Sequence, residues 1–174
     1  MKKPFYKTWW FIVIVVCILI NAIVLLIDRE TGQAVKATVE SSTVEEQITE
    51  FINDELGKKT NNKKERVVSV GYVADTFEVV LNADDNLTVN LMKTAMLSDA
   101  AEVFEEIQKH EDIKGDVIVG FMSELVDSYS NKSDDKILSI RLTQEELDKI
   151  NFENFLFTNF NTIADVYFEH PAIQ

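Results

Sequence analysis

The feature that most constrains this chain is an unbroken apolar run near its start. No charged residue occurs between Thr8 and Ile27, and the stretch over residues 9–27 reads WWFIVIVVCILINAIVLLI. As a helix that rises about 1.5 Å per residue, this stretch spans about 30 Å, the hydrocarbon thickness of a bilayer. The sequence therefore predicts a transmembrane helix over residues 9–27.

The residues that flank this run predict its orientation. Lys2, Lys3 and Lys7 precede it with no acidic residue among them, and Trp9 and Trp10 stand where an aromatic belt meets the lipid head groups. Basic residues are retained on the cytoplasmic side of a membrane. We therefore expect a single-pass protein of the cell membrane with a cytoplasmic N-terminus and an extracellular C-terminal domain, and these five side chains at the membrane interface.

Two other interpretations of the run fit its residues less well. A cleaved signal peptide also places basic residues before an apolar run, but this run is longer than the usual h-region, and Ala34 and Ala37 are too distant for a cleavage site. A lipoprotein signal would acylate Cys17, yet Val16 stands where a small residue is needed. Cys17 is the single cysteine and is more simply an apolar residue of the anchor, so a disulfide within the chain is excluded.

The charge of the chain restricts its partners. Its 30 acidic and 17 basic side chains give a formal net charge of −13, and without the three N-terminal lysines residues 28–174 carry −16. A surface this acidic repels nucleic acid and anionic lipid head groups. We therefore expect no nucleic-acid partner, and divalent cations or a basic protein surface are the more natural ligands.

The pattern of residues divides the chain into a cytoplasmic tail (1–8), the transmembrane helix (9–27), a polar stalk (28–42) and an extracytoplasmic domain (43–174). Two capping-box sequences, which start at Thr43 and Thr143, mark helix starts, and Asp84–Asn86 is predicted to cap a long helix. The first half of the domain is predicted as a helix over 43–56, a hairpin of strands over 66–74 and 76–83, and a helix over 87–109. The second half is predicted as strands over 116–127 and 136–142 joined by a polar turn over 128–135, and then a short helix to Ile150. A final helix, which Pro171 stops, is predicted to carry Phe160, Ile163, Ala164 and Tyr167 on one face. This order predicts a two-layer α+β domain with a mainly antiparallel four-stranded sheet covered by helices.

The domain carries no recognisable catalytic or cofactor motif. His110 and His170 are each predicted at a helix end, and neither belongs to a metal-ligand pair such as H-E-x-x-H. The oxygen-rich turns at Asp84–Asn86 and Asn131–Asp135 lack the spacing of a calcium loop. The sequence therefore predicts a protein that is not an enzyme, with no catalytic residues, no cofactor and no metal site.

The aromatic tail is the most distinctive part of this domain. Phe152, Phe155, Phe157 and Phe160 cannot all lie on one helical face with Tyr167 and Phe168, and those that stay exposed form an apolar patch typical of a protein contact. We predict that Phe152, Phe155 and Phe157 bind a partner and that Phe160 belongs to the core. The alternative is that the whole segment wraps the domain and supplies its core.

The first residues of the chain, KKPFYKTWWF, resemble the N-terminal anchors of small surface proteins of Gram-positive bacteria and their prophages. The order of basic tail, single span and compact outer domain is similar to that of prophage superinfection-exclusion proteins, which block DNA entry of an incoming phage at the membrane. This resemblance covers only the anchor and the order of the segments. It implies a surface protein that acts on another component of the envelope.

The sequence thus favours a non-enzymatic interaction module, anchored in the membrane, that contacts another membrane or envelope protein, with superinfection exclusion or an immunity-like role as one form. The alternative is an extracytoplasmic sensor or ligand-binding domain that regulates an envelope system. The oligomeric state is open, although Asn21 could pair with a second transmembrane helix.

Overall fold

The structure, a computed structural model, describes residues 43–174. Its helices are α1 (Val44–Glu55), α2 (Val89–Gln108), α3 (Gln144–Lys149) and α4 (Phe160–Ile163), and its strands are β1 (Val67–Val73), β2 (Thr76–Asn82), β3 (Asp116–Val126), β4 (Lys132–Leu142) and β5 (Val166–Glu169). Single 3₁₀ turns lie at Phe152–Asn154, Phe157–Asn159 and Pro171–Ile173. The predicted anchor and stalk lie outside the described residues. From Thr43 onward, no helix combines the length and the apolar character needed to cross a bilayer.

Helix α1 begins as the capping box predicts. The Thr43 hydroxyl accepts from the Glu46 backbone N–H at 3.3 Å, and the Thr43 N–H donates to the Glu46 carboxylate at 3.1 Å. Two free amides of the helix start are thereby satisfied. Ile48 and Ile52, one turn apart, are fully buried, so their face of α1 enters the core.

Helix α2 begins at a different cap from the one predicted. The Thr88 hydroxyl, not Asp84–Asn86, accepts from the Leu91 N–H at 3.2 Å. The predicted cap is wrong because Asp84 and Asp85 bind the loop before β1, as described below. Thr88 lies close enough to the first apolar turn of the helix to replace them.

The five strands form one mixed sheet in the order β1-β2-β3-β4-β5. Neighbouring strands pair antiparallel except β2 and β3, which run parallel and are joined by the crossover helix α2. The predicted α+β class is confirmed, but the predicted count of four strands is wrong. Antiparallel pairs predominate, and the parallel pair makes the sheet mixed.

The fifth strand replaces most of the predicted final helix. Helix α4 ends at Ile163, and β5 then pairs with β4, with Phe168 opposite Ser139 and Tyr167 opposite Ile140. The helical spacing of Phe160, Ile163 and Tyr167 misled the prediction because Tyr167 faces the core in either conformation. The unpaired edge of β4 decides between them, since it supplies hydrogen-bond partners to an extended segment.

The returning strand β4 starts four residues earlier than predicted, at Lys132. Part of the polar segment predicted as a turn over 128–135 therefore lies in this strand. The β3–β4 hairpin extends beyond its neighbouring strands, because β2 pairs with β3 only as far as Met122 and β5 pairs with β4 only from Leu138. A strand with no neighbour on its other side can carry polar side chains on both faces.

All helices lie on one face of the sheet. The buried side chains of this single core come mainly from the inward-facing residues of β2, β3 and β4 and from the facing turns of α1 and α2. They include Ile48, Phe77, Val79, Phe104, Val119, Phe121 and Ile140, and Phe160 of α4 joins them. The opposite face, which carries Val80, Ile118, Met122 and Phe168, has no helix on it within residues 43–174. Residues 43–174 therefore form two layers, a layer of helices and a sheet whose outer side no described helix covers.

Candidate functional site

The two ends of the sheet differ in what they carry. The described chain starts at one end of the sheet, which we call the near end. The side chain of Glu45 lies there, beside Gly71 in the second half of β1. Helix α1 then runs toward the start of β1, where the Lys58 carbonyl accepts from the Arg66 N–H at 2.9 Å. Strands β2 and β3 finish at this opposite end, which we call the far end.

Two loops at the far end are hydrogen-bonded to each other. The backbone N–H of Asn61 donates to the Asp84 carboxylate at 2.7 Å, its side-chain amide donates to the Asp85 carbonyl, and the Asp85 N–H donates back to Asn61 at 3.0 Å. The Asn62 amide also donates to Asp85 at 3.1 Å. A third connection is the ion pair of Lys64 with Asp134 in the hairpin. These contacts hold the loops of the far end in fixed positions.

Arg66 lies beneath these loops and is their buried support. Its side chain is only 4% exposed, and its guanidinium donates to the Asp84 carboxylate at 2.8 Å and to the Asn82 carbonyl at 3.2 Å. A buried cation needs a paired anion to offset its desolvation. Asp84, one of the residues predicted as a helix cap, therefore serves instead as the counter-ion of Arg66.

The far end presents large apolar side chains to solvent. The most exposed are Leu87 at 97% and Tyr129 at 87%. We call the following residues the far-end set: Leu87, Val89, Leu91, Val126 and Tyr129, each more than two-fifths exposed. Because apolar residues that project from ordered loops are typical of protein contacts, this set is the candidate site.

The turn that carries Tyr129 is built by one carboxylate. Asp127 accepts from the backbone N–H groups of Tyr129 and Asn131, both at 2.8 Å, and from the Asn131 side chain at 2.9 Å. The Asn131 side chain is the main reason that the pKa of Asp127 lies below its usual value. Ser130 completes the turn in the left-handed region with φ of 67°. Tyr129 therefore projects from a fixed turn, which lowers the entropy that it loses on binding.

Below the far end, Asp99 of α2 is half-buried near Arg66 and Asp84. Burial raises the pKa of Asp99 from 3.8 to about 6, Arg66 opposes the shift, and Glu102 and Asp84 add to it. A carboxyl whose pKa is raised on folding binds its proton more tightly in the native state, so its contribution to stability falls as the pH rises from about 4 through 6.

We expect Asp99→Asn to stabilise the domain by about 1–2 kcal/mol at pH 7.5, a value reduced from the full pKa difference because Asp99 is only half-buried. The gain should disappear below about pH 4, where Asp99 is protonated in both states. Urea unfolding of the full-length chain between pH 4 and 8 measures this difference in the free energy of unfolding. Asp54→Asn, at an exposed position on α1, is the control. A loss of stability at every pH would show that the attraction of Arg66 outweighs burial.

The three phenylalanines predicted as partner contacts are half-buried against the core. Phe155 stacks edge-on with Phe160 at a centroid distance of 4.8 Å and with Phe152 at 5.8 Å. Phe157 starts a turn that packs on α2. Their role in binding stays a prediction, and they offer a partner less apolar surface than Leu87 or Tyr129. Phe160, predicted as core, is fully buried.

The two histidines have different surroundings, and His170 lines one pocket together with Val126 of the far-end set. His110 follows the end of α2 and contacts Glu106 at 3.3 Å. His170 does not end a helix, as predicted, but begins the last 3₁₀ turn, where its Nδ1 accepts from the Ala172 N–H at 3.1 Å. Among residues 43–174, no group of three or more His, Cys, Asp and Glu side chains converges as a metal site would require.

Sequence reasoning did not single out the far-end set. A signal was nevertheless present, because Leu87 and Tyr129 each stand alone in a polar turn (DDNLT and DSYSN). A lone large apolar residue in a polar turn is a candidate to face solvent or a partner, although Ile113, alone in the polar loop HEDIKGD, is buried in the core. What could not be read from the sequence is that the two turns lie at the same end of the sheet.

Comparison of the chain with models of protein families, with curated proteins and with solved structures gives no match.

Proposed function

We propose that this protein is a non-enzymatic interaction module, anchored in the membrane and facing outward, that contacts another membrane or envelope protein through the far end of its sheet. Exclusion of a superinfecting phage, or an immunity-like role, is one concrete form of this function. The proposal rests on one observation: the two most exposed apolar side chains, Leu87 and Tyr129, project from the far end, where the loop before β1 is bonded to Asp84 and to Asp134 of the hairpin.

The positions of the two ends of the domain support this proposal. The described chain starts at the near end, and the far-end set lies at the opposite end of the strands. A domain that is tethered through its near end can therefore offer the far-end set to a partner without steric hindrance from its own tether.

Tethering also lowers the affinity that the contact needs. When two proteins share a membrane, confinement to its surface raises the concentration at which they meet, as a tether does for linked modules. A small contact made of Tyr129, Leu87 and their neighbours is then sufficient, even though it is smaller than a standard interface of about 800 Å² per partner.

We expect Tyr129→Ala, and more strongly Tyr129→Ala with Leu87→Ala, to reduce partner capture about tenfold or more, because central aromatic anchors dominate binding energy. The measurement is proximity labelling by the full-length chain in intact cells, with the isolated anchor as background. Val73→Ala, which is 62% exposed but lies at the near end, is the matched control. All variants should unfold at the same temperature. Protease added to intact cells should digest the domain over residues 43–174 in each of them.

Two results would overturn this proposal. If the double variant labels the same proteins at the same level as the wild type, the far-end set is not the contact. If protease added to intact cells leaves residues 43–174 uncut while it digests a control surface protein, the domain does not face outward.

A further inference from the structure

The uncovered face of the sheet has a regular distribution of charge and size. Two rows of residues cross it from β1 or β2 to β5. One row, from Glu78 through Ile118 and Arg141 to Val166, alternates acid, apolar, base and apolar. The next row is Ser69, Val80, Gly120, Ser139 and Phe168, which has a small side chain at the β1 edge and the bulkiest one at the β5 edge.

The centre of this face is neutral in an acidic protein. Lys136 crosses over Gly120, where a Cβ would lie 3.6 Å from its side chain, and pairs with Glu78 at 3.2 Å. Arg141 pairs with Asp116. The two acids and two bases at this centre balance, and Arg141 also lies 3.8 Å from Asp165 at the edge of the face, whereas the whole chain carries a formal net charge of −13. A second copy can therefore approach this face without the repulsion that the charge of the whole chain would produce.

We propose that two copies of this chain pack against each other through their uncovered sheet faces, about a two-fold axis that runs along β3. Such an axis places β2 of one copy opposite β4 of the other, and β1 opposite β5. The face is self-complementary under this operation, as a two-fold interface must be.

The residues that meet across this axis match in charge and in size. Glu78 of each copy lies at the same level as Arg141 of the other, because both belong to the row of Ile118. In the next row, the large ring of Phe168 meets the small Ser69. Ile118 and Met122 lie on the axis and meet their own equivalents, which gives an apolar centre between two symmetrical charge pairs.

The same axis keeps the two domains in a common direction. Because it runs along the strands, both near ends lie at one end of the dimer, and both far-end sets lie at the other. Face-to-face sheets pack about 10 Å apart, so the acidic helix layers on the outer sides are separated by well over the Debye length of about 8 Å. Their mutual repulsion is therefore largely screened.

The first test is cross-linking of the full-length chain in membranes with a short bismaleimide, in a Cys17→Ser background that removes the only native thiol. Met122→Cys places the new thiol on the axis, and we expect a covalent dimer. Asp54→Cys, on the exposed side of α1, is the control and should remain a monomer. If both variants cross-link equally, or if Met122→Cys forms no dimer or captures a different protein, the proposal is wrong.

The second test is a charge exchange in the Met122→Cys background. Glu78→Arg and Arg141→Glu should each reduce cross-linking about tenfold, because each places like charges opposite one another at two points of the interface. The two together should restore it. This restoration is specific to the dimer, since the double variant still breaks the pairs with Lys136 and Asp116 inside each copy. A double variant that unfolds at the same temperature as the singles and still fails to cross-link would overturn the proposal.

Discussion

Phe160→Ala is expected to lower the free energy of unfolding by about 3–5 kcal/mol, the usual cost of removing a buried phenylalanine. The ring of Phe160 is fully buried and lies between Phe155, at a centroid distance of 4.8 Å, and Phe104 of α2, at 5.4 Å. Its removal leaves a cavity whose lining belongs to two separate segments, so the site cannot collapse easily. Urea unfolding of the detergent-solubilised chain, followed by circular dichroism, measures the effect.

The control for this prediction is Leu156→Ala in the same segment. Leu156 is largely exposed, and a surface substitution of this kind changes stability by no more than about 0.5 kcal/mol. If Phe160→Ala proved as mild as Leu156→Ala, the tail would not be packed on α2 as the structure shows. Phe155→Ser should fall between the two, because Phe155 is half-buried and loses its stacking on Phe160.

Arg66→Met is expected to lower the free energy of unfolding by about 2–4 kcal/mol, because it leaves the carboxylate of Asp84 without its buried partner. Asp84 is itself partly exposed, and water can then compensate part of the loss. Since Asp84 also accepts from the Asn61 N–H, we expect the loop over 58–65 to loosen. Hydrogen exchange of the Thr60 and Asn61 amides should accelerate before global unfolding.

Lys59→Met is the matched control for Arg66→Met. It removes the ion pair of Lys59 with Glu65, both of which are well exposed, and an exposed pair contributes about 1 kcal/mol or less. If the two substitutions had equal effects, burial of Arg66 would not be the source of its contribution. If Arg66→Met lowered stability but left exchange in the loop unchanged, Asp84 would hold the loop without its cation.

Elements that depend on neighbours along the chain were predicted well from the sequence. The capping box at Thr43, the first hairpin and the long helix α2 are all present, because caps, turns and apolar periodicity act over a few residues. The prediction failed where the partner is distant in sequence. Strand β5 exists because β4 offers a free edge, and Thr88 caps α2 because Asp84 is engaged by Arg66.

The candidate site shows the same division. The sequence marked the aromatic tail as a contact surface because aromatic residues are dense there, but exposure depends on which rings meet, and Phe155 meets Phe160. Leu87 and Tyr129 are isolated in the sequence and gained meaning only when the parallel pairing of β2 with β3 brought their turns to one end.

By itself, the sequence determined the acidic character and the α+β class, since these depend on composition and local period, and the membrane anchor stays a prediction. The tertiary structure decided the fifth strand, the parallel pair, the uncovered face and the grouping of exposed apolar residues. Each of these depends on contacts between residues far apart in the chain, and no local pattern specifies which distant segment a strand edge or a buried charge will meet.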